Sequence, residues 1–160
     1  MDKQRIQDFY PKEFHECFGC GPRNPDGMCV TSHLEGDEVV TLWHPHQHMQ
    51  LRGAANVLQG GVTAALIDEV AGAAAFVQGH RNKGVALGDL PPFDFVTAYL
   101  NVNYVKPVYM DRPMLLRARV TEAVRRKVRV SCTVYSGEEE AANADALFIL
   151  LEHIRRDESA

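Results

Sequence analysis

The sequence predicts an α+β fold in which an antiparallel sheet wraps around one long helix. Two strand-like runs precede a single helical stretch, and four further strand-like runs follow it. A lone helix among such strands buries its apolar side best against one face of their sheet. A chain of 160 residues has room for these elements in one compact domain.

The first two predicted strands lie within residues 29–43, joined by a turn at Gly36-Asp37. Residues 1–28 before them are polar and contain several prolines and glycines, so we interpret them as an irregular N-terminal arm. Residues 44–56 follow the strands as a loop. The domain itself is then expected to cover residues 29–155.

The predicted helix covers roughly residues 60–78 and carries two distinct faces. One is an apolar stripe at spacings of three and four, which we expect to face the sheet (Val62, Leu66, Val70, Ala73 and Val77). The other consists of small residues that allow close approach of another backbone (Ala64, Ala71, Gly72 and Ala75). We expect this second face to be buried against a partner subunit.

Four strand-like runs follow a loop at residues 79–93, at 95–105, 114–124, 127–136 and 142–151. In the third run, apolar residues alternate with polar ones, which is typical of a strand with one buried face (Val128, Val130, Cys132 and Val134). Arg125-Arg126 fits a tight hairpin connection.

The helix also holds the groups needed for acyl transfer. Its start at Gly60-Gly61 offers unpaired N–H groups that can hold an oxyanion, and glycine lets a substrate approach closely. Asp68 lies on the small-residue face, where an unpaired carboxylate is costly. Such a carboxylate can activate water or attack a carbonyl group. A surface-facing aspartate with no chemical role is the alternative.

The stretch LQGGVTAALIDEVAGAAA, residues 58–75, resembles the signature of hotdog-fold thioesterases of the PaaI type. That signature is usually His-Gly-Gly, six residues and then Asp. Gln59, Gly60, Gly61 and Asp68 keep the spacing, with glutamine in the histidine position. VTAYLNVNYVKPV, residues 96–108, is similar to the family's strand after the helix. CFGCGPRNPDGM, residues 17–28, is similar to the N-terminal segment of one subgroup.

The resemblance implies a hotdog fold, a homodimer or homotetramer, and hydrolysis of acyl-CoA thioesters at sites shared between subunits. Gly61 would supply a backbone N–H to the thioester carbonyl, and Asp68 of the other subunit would be the base or nucleophile. Thr97 would act in catalysis or position the water, and Gln59 would orient the substrate. Further substrate contacts are expected from Gly60, Asn56 and Lys106, the last as a cation for the coenzyme A phosphates.

Two alternatives to hydrolysis stay open at this point. A non-catalytic hotdog protein that binds acyl-CoA or another small ligand is favoured by Gln59, which cannot carry a proton charge, and disfavoured by the intact Asp68. A hotdog hydratase acting on 2-enoyl thioesters usually carries a histidine with an acid, and the missing histidine argues against it. The fold alone does not decide between them.

We expect no cofactor and no metal. Four residues have a spacing that zinc could use, but the last two of them fall among strand residues (Cys17, Cys20, Cys29 and His33). Three alternating histidines are expected to be exposed or to face substrate rather than a metal (His44, His46 and His48).

Charge and composition bear on partners and location. The net charge of −4 gives no general attraction for nucleic acid or for an anionic membrane. The first sixteen residues lack the apolar core of a signal peptide, and no apolar run approaches the ~20 residues of a membrane-spanning helix. Four cysteines without a secretion signal favour a reducing, cytoplasmic location.

Overall fold

The computed structural model describes residues 4–51, 56–89 and 94–151. Two strands, β1 (His33–Glu35) and β2 (Glu38–Trp43), precede the helix α1 (Gly60–Lys83). Four strands follow it: β3 (Asp94–Tyr104), β4 (Met114–Val124), β5 (Lys127–Ser136) and β6 (Glu139–Leu151). Short 3-10 helices occupy Ile6–Phe9, Lys12–Glu16 and Gln47–Met49.

The strands form one six-stranded antiparallel sheet in the order β1-β2-β4-β5-β6-β3. β3 follows the helix in the chain but pairs with the last strand, so it forms an edge of the sheet. Within the described ranges, its outer side has no strand partner. One long helix held by an antiparallel sheet confirms the predicted α+β, hotdog arrangement.

The inner face of the sheet packs on α1. β5 presents the predicted buried face, with exposures of 0–1% (Val128, Val130, Cys132 and Val134). The helix contributes four members of the predicted apolar stripe to the same core (Leu66, Val70, Ala73 and Val77). Packing of this kind fixes the rotation of α1, and therefore the direction in which each of its polar side chains points.

Two residues of the small-residue face of α1, Ala71 and Ala75, are not left open for a partner subunit, which corrects the expectation from sequence. Ala71 and Ala75 are fully buried within the single chain. The N-terminal segment also packs against the helix: Ile6 is 1% exposed, and the Tyr10 ring meets Phe76 edge-on at 4.7 Å. Periodicity shows that a face must be covered, but it does not show which part of the chain covers it.

The helix is longer than predicted and ends at Lys83. Gly79, which suggested the start of a loop, is instead a buried helical residue. The helix stops at Gly84, whose left-handed backbone (φ 66°) lets its N–H bond the carbonyl groups of His80 and Arg81.

By length and composition, α1 is apolar enough to cross a membrane, with a mean hydropathy of 1.4, which corrects the expectation that no run approaches that length. Of the apolar window, 61% is buried inside the fold. The same composition is therefore explained by its position as the core helix of this sheet.

Candidate active site

The edge strand β3 runs along α1 in the opposite direction, and we call their line of contact the α1–β3 seam. At the start of the helix, the hydroxyl of Tyr104 donates to the carbonyl of Gly60 at 2.7 Å. Farther along the helix, Thr97 contacts Asp68, and the ring of Phe95 then lies against Gly72. The seam therefore carries the helix start at one end and Asp68 in its middle.

Thr97 and Asp68, both predicted from the sequence, are in direct contact. Thr97 Oγ1 donates to Asp68 Oδ1 at 2.7 Å. The pairing of β3 with β6 shifts register between Thr97 and Tyr99, which leaves Ala98 as a bulge beside the contact. Bulges redirect side chains and are common next to active sites. The Thr97 side chain is exposed, so the pair is open to solvent.

Burial raises the pKa of the Asp68 carboxyl, and the hydrogen bond from Thr97 opposes this by lowering it. A carboxylate with a raised pKa holds a proton more strongly, which makes it a better general base than an ordinary surface aspartate. Asp68 thus combines access to water, a hydroxyl partner and increased basicity.

The neighbouring Glu69 points to the other side of the helix, toward the N-terminal segment. Its Oε1 lies 3.7 Å from Cys17 Sγ, and burial also raises its pKa. Two adjacent carboxylates therefore have different surroundings: Asp68 faces the seam, and Glu69 faces two cysteines. The sequence placed Glu69 near the apolar stripe but gave no sign of the cysteine contact, which depends on tertiary structure.

Gln59 caps the helix, a role that the sequence interpretation did not foresee. Its side-chain Oε1 accepts a hydrogen bond from the N–H of Val62 at 3.0 Å. A Cβ on Gly61 would lie 2.8 Å from that oxygen, so glycine at this position gives the cap its space. Among the residues that the structure describes, no acceptor takes the N–H groups of Gly60 and Gly61, which are available to an anion.

The other two predicted substrate contacts lie near the same end of the helix. Asn56 has a left-handed backbone (φ 65°), and its carbonyl accepts from Met110 N at 3.0 Å. Lys106 is exposed and forms an ion pair with Glu139. Lys106 can therefore meet a phosphate only by exchanging or sharing this partner.

Within one chain, the helix start and Asp68 are too far apart to act on the same carbonyl group. Seven residues at about 1.5 Å each separate Gly61 from Asp68 by roughly 10 Å along the helix axis. An oxyanion donor and a base must both lie within hydrogen-bond reach of one reacting centre. The structure thus forms two separate groups, Asp68 with Thr97, and Gln59 with Gly60 and Gly61.

The structure places the two sets of residues considered for zinc differently from what their spacing in the sequence suggests. Cys29 is exposed, and His33 contacts Glu35 at 3.3 Å, so neither joins Cys17 and Cys20. All three alternating histidines are exposed, and two of them, His46 and His48, line a cleft beside the helix start together with Phe18 and Gln59.

Comparison with known proteins identifies the family of the chain. The model of the thioesterase superfamily matches residues 55–142. Acyl-coenzyme A thioesterase THEM4 of Rattus norvegicus is 31% identical over 116 residues, which are 71% of this chain and 44% of that protein. The chain therefore spans less than half the length of the curated relatives that it matches.

Solved structures show the same fold. A thioesterase superfamily protein from Shewanella loihica PV-4 has 25% identity and a TM-score of 0.60, covering 75% of this chain and 89% of that one. A Streptococcus mutans protein bound to acetyl CoA has 18% identity and a TM-score of 0.62, covering 77% and 89%. The superfamily match extends over more than half of the sequence and includes the helix start, Asp68 and Thr97. The chain belongs to the thioesterase superfamily.

Proposed function

We propose that this protein hydrolyses acyl-CoA thioesters to a free carboxylic acid and coenzyme A. The contact between Thr97 and Asp68 carries the proposal, because it joins a hydroxyl to a carboxylate of raised pKa at a solvent-open position. The substrate class is supported by the rat relative, which is named as an acyl-CoA thioesterase, and by the bound acetyl CoA in the Streptococcus mutans structure.

In the proposed reaction, a water held by Thr97 and Asp68 attacks the thioester carbonyl carbon. The water oxygen forms the new C–O bond while Asp68 takes the proton, and the electron pair of the C=O bond moves to oxygen. The N–H of Gly61 and the positive end of the α1 dipole stabilise that oxyanion. Collapse of the intermediate breaks the C–S bond, and the thiolate of coenzyme A leaves and takes up a proton from Asp68.

The complete site takes Gly61 from one subunit and Asp68 with Thr97 from another. The roughly 10 Å rise between Gly61 and Asp68 within one helix is the first support for this arrangement. The second is the outer edge of β3, which has no strand partner in the described ranges and where Val96 is 47% and Tyr104 51% exposed. A long strand edge with exposed apolar side chains is well suited to pair with another copy of the chain. We therefore expect a homodimer, or a tetramer built from such dimers.

The alternative is a protein that binds acyl-CoA without hydrolysing it. Gln59 favours it, because its carbonyl oxygen is engaged in the helix cap and an amide cannot transfer a proton at neutral pH. Both functions share the ligand and differ only in turnover, so one assay separates them.

The test is a panel of acyl-CoA esters with short, long and aromatic acyl groups, read by release of free thiol and, in parallel, by calorimetric binding. Hydrolysis requires turnover of at least one ester by the wild type and its loss in Asp68→Asn, with binding retained. Binding of several esters with no thiol release would instead assign the protein to the non-catalytic class.

A further inference from the structure

A second cluster of reactive side chains lies on the other side of α1 from Asp68. The donor atoms of Cys17, Cys20 and Glu69 all lie within 4.8 Å of one another. Cys20 is buried, and the other two residues are partly buried. Two of the ligands come from one tight turn in the N-terminal segment and the third comes from the middle of the core helix.

The Cys17-Phe18-Gly19-Cys20-Gly21 turn is shaped around the Glu69 carboxylate. A Cβ on Gly19 would overlap that carboxylate, and a Cβ on Gly21 would lie 2.5 Å from the backbone N and O of Cys17. The turn closes through a hydrogen bond from Gly21 N to Cys17 O at 3.0 Å. Outer hydrogen bonds fix it to the following segment, with Met28 N and Val30 N donating to the carbonyls of residues 18 and 19 at 2.8 Å.

The cluster brings several acidic groups close together, and no cationic side chain is among them in the described part of the chain. Burial raises the pKa of the Cys20 thiol, and the nearby Glu69 and Cys17 raise it further. The pKa of the Tyr10 hydroxyl is raised first by burial and then by the charges of the same three groups. In the described part of the chain, no lysine, arginine or histidine contributes to these shifts. By contrast, Cys132 is a solitary core thiol, with a pKa raised to about 12 by burial alone.

We propose that Cys17, Cys20 and Glu69 bind one zinc ion, which ties the N-terminal segment to α1 beside the catalytic carboxylate. Zinc bonds of about 2.3 Å to sulfur and about 2.1 Å to oxygen put S and O roughly 3.6 Å apart in a tetrahedral site. The distance from Cys17 Sγ to Glu69 Oε1 is 3.7 Å. Thiolates select zinc over magnesium or calcium, and a water molecule can take the fourth position.

The zinc supplies the positive charge that the cluster lacks and converts both thiols to thiolates. Metal binding therefore releases protons, and the affinity falls as the pH is lowered. The site does not rest on the proposed hydrolysis, because its ligands point away from the α1–β3 seam. This proposal replaces the expectation from sequence that the chain binds no metal. The third ligand is Glu69, which is distant in sequence from the two cysteines and therefore does not belong to their spacing pattern.

The test is the metal content of the full-length protein, purified with reductant and supplied with zinc, followed by titration of the chelated protein with cobalt(II). We expect about one zinc per chain and a thiolate-to-cobalt charge-transfer band. Both should be lost in Cys17→Ser and Cys20→Ser. Glu69→Gln should lower the cobalt affinity by at least about 10-fold, the lower limit even for residues that only support a ligand.

Cys29→Ser and Cys132→Ser are the matched controls and should keep the metal and the cobalt spectrum. If the serine variants at the site do not fold, the wild type alone remains informative: chelation should lower its Tm and zinc should restore it. Three results would overturn the proposal. The first is that the reduced wild-type protein takes up no zinc or cobalt. The second is that the double Cys17→Ser, Cys20→Ser variant retains zinc. The third is that a Cys17–Cys20 disulfide forms in the presence of zinc and reductant.

Discussion

The hydroxyl of Thr97 donates a 2.7 Å hydrogen bond to the carboxylate of Asp68, across 29 residues of sequence and from an edge strand to the core helix. The bulge at Ala98 lies beside it in the strand, and the apolar packing of α1 sets the direction of the carboxylate. The contact thus depends on the fold as a whole, and it favours the ionised form of a carboxylate whose pKa is raised by burial.

Asp68→Asn should lower kcat/KM by about 10²-fold or more, the usual scale for loss of a general base. Because burial raises the pKa of Asp68, its ionised form is disfavoured in the folded state, so the substitution should keep or raise the Tm at neutral pH. Steady-state kinetics and thermal unfolding measure both effects. Asp37→Asn removes a carboxylate that is 80% exposed and should change neither. Near-full rates in Asp68→Asn would show that the base lies elsewhere.

Thr97→Val should shift the acid limb of the kcat/KM profile to higher pH. The base must be ionised, so activity rises with pH through the pKa of Asp68, and the lost hydrogen bond had lowered that pKa. The rate should also fall on the order of 10-fold, as expected for removing one hydrogen bond to a charged group. Thr133→Val, on β5, is the matched control and should leave the profile in place. An unshifted acid limb in Thr97→Val would argue against a functional pair.

Gln59→Ala should reduce stability by about 1 kcal/mol, because the helix loses its side-chain cap. It should also reduce kcat/KM by roughly 1–2 kcal/mol, the scale of a neutral hydrogen bond. Urea unfolding and kinetics separate the two effects. Gln78→Ala on the same helix removes only an exposed pair with Asn82 and is the control. Gln59→His should be tolerated; if it created activity where the wild type has none, the wild type would be a binding protein.

Val96→Lys should weaken the oligomer. Val96 is 47% exposed on the edge strand β3, where the proposed interface forms, and a buried lysine would be costly there. Sedimentation at micromolar concentration should show a dimer or tetramer for the wild type and smaller species for the variant. Val124→Lys changes a valine that is 54% exposed at the far hairpin and should not alter assembly. A monomeric wild type with full activity would exclude the shared site.

The sequence predicts most of the fold because the local signals agree with the tertiary structure. The alternation in β5 and the turn at Gly36-Asp37 match the observed elements. The predicted helix end at residue 78 is too early, because Gly79 is buried within the helix rather than ending it. The interface assigned to Ala71 and Ala75 was wrong because the chain itself buries them.

The candidate site was predictable only in part. The spacing from Gln59 to Asp68 and the strand containing Thr97 identified the residues through resemblance, and the structure adds their direct contact. The cap formed by Gln59 and the approach of Glu69 to Cys17 were not predicted. Both depend on side-chain direction, which a one-dimensional spacing does not contain.

The most direct test of the account is complementation between two inactive chains. Gly61→Val places a side chain against Gln59 Oε1 and blocks the N–H of the helix start, and Asp68→Asn removes the base. In a mixed dimer, a shared site pairs the intact helix start of one chain with the intact Asp68 of the other. Each variant should be inactive alone, and co-expression should restore about a quarter of the wild-type activity, since half of random dimers are mixed and each has one intact site. Mixed dimers without any restored activity would contradict a site shared between subunits.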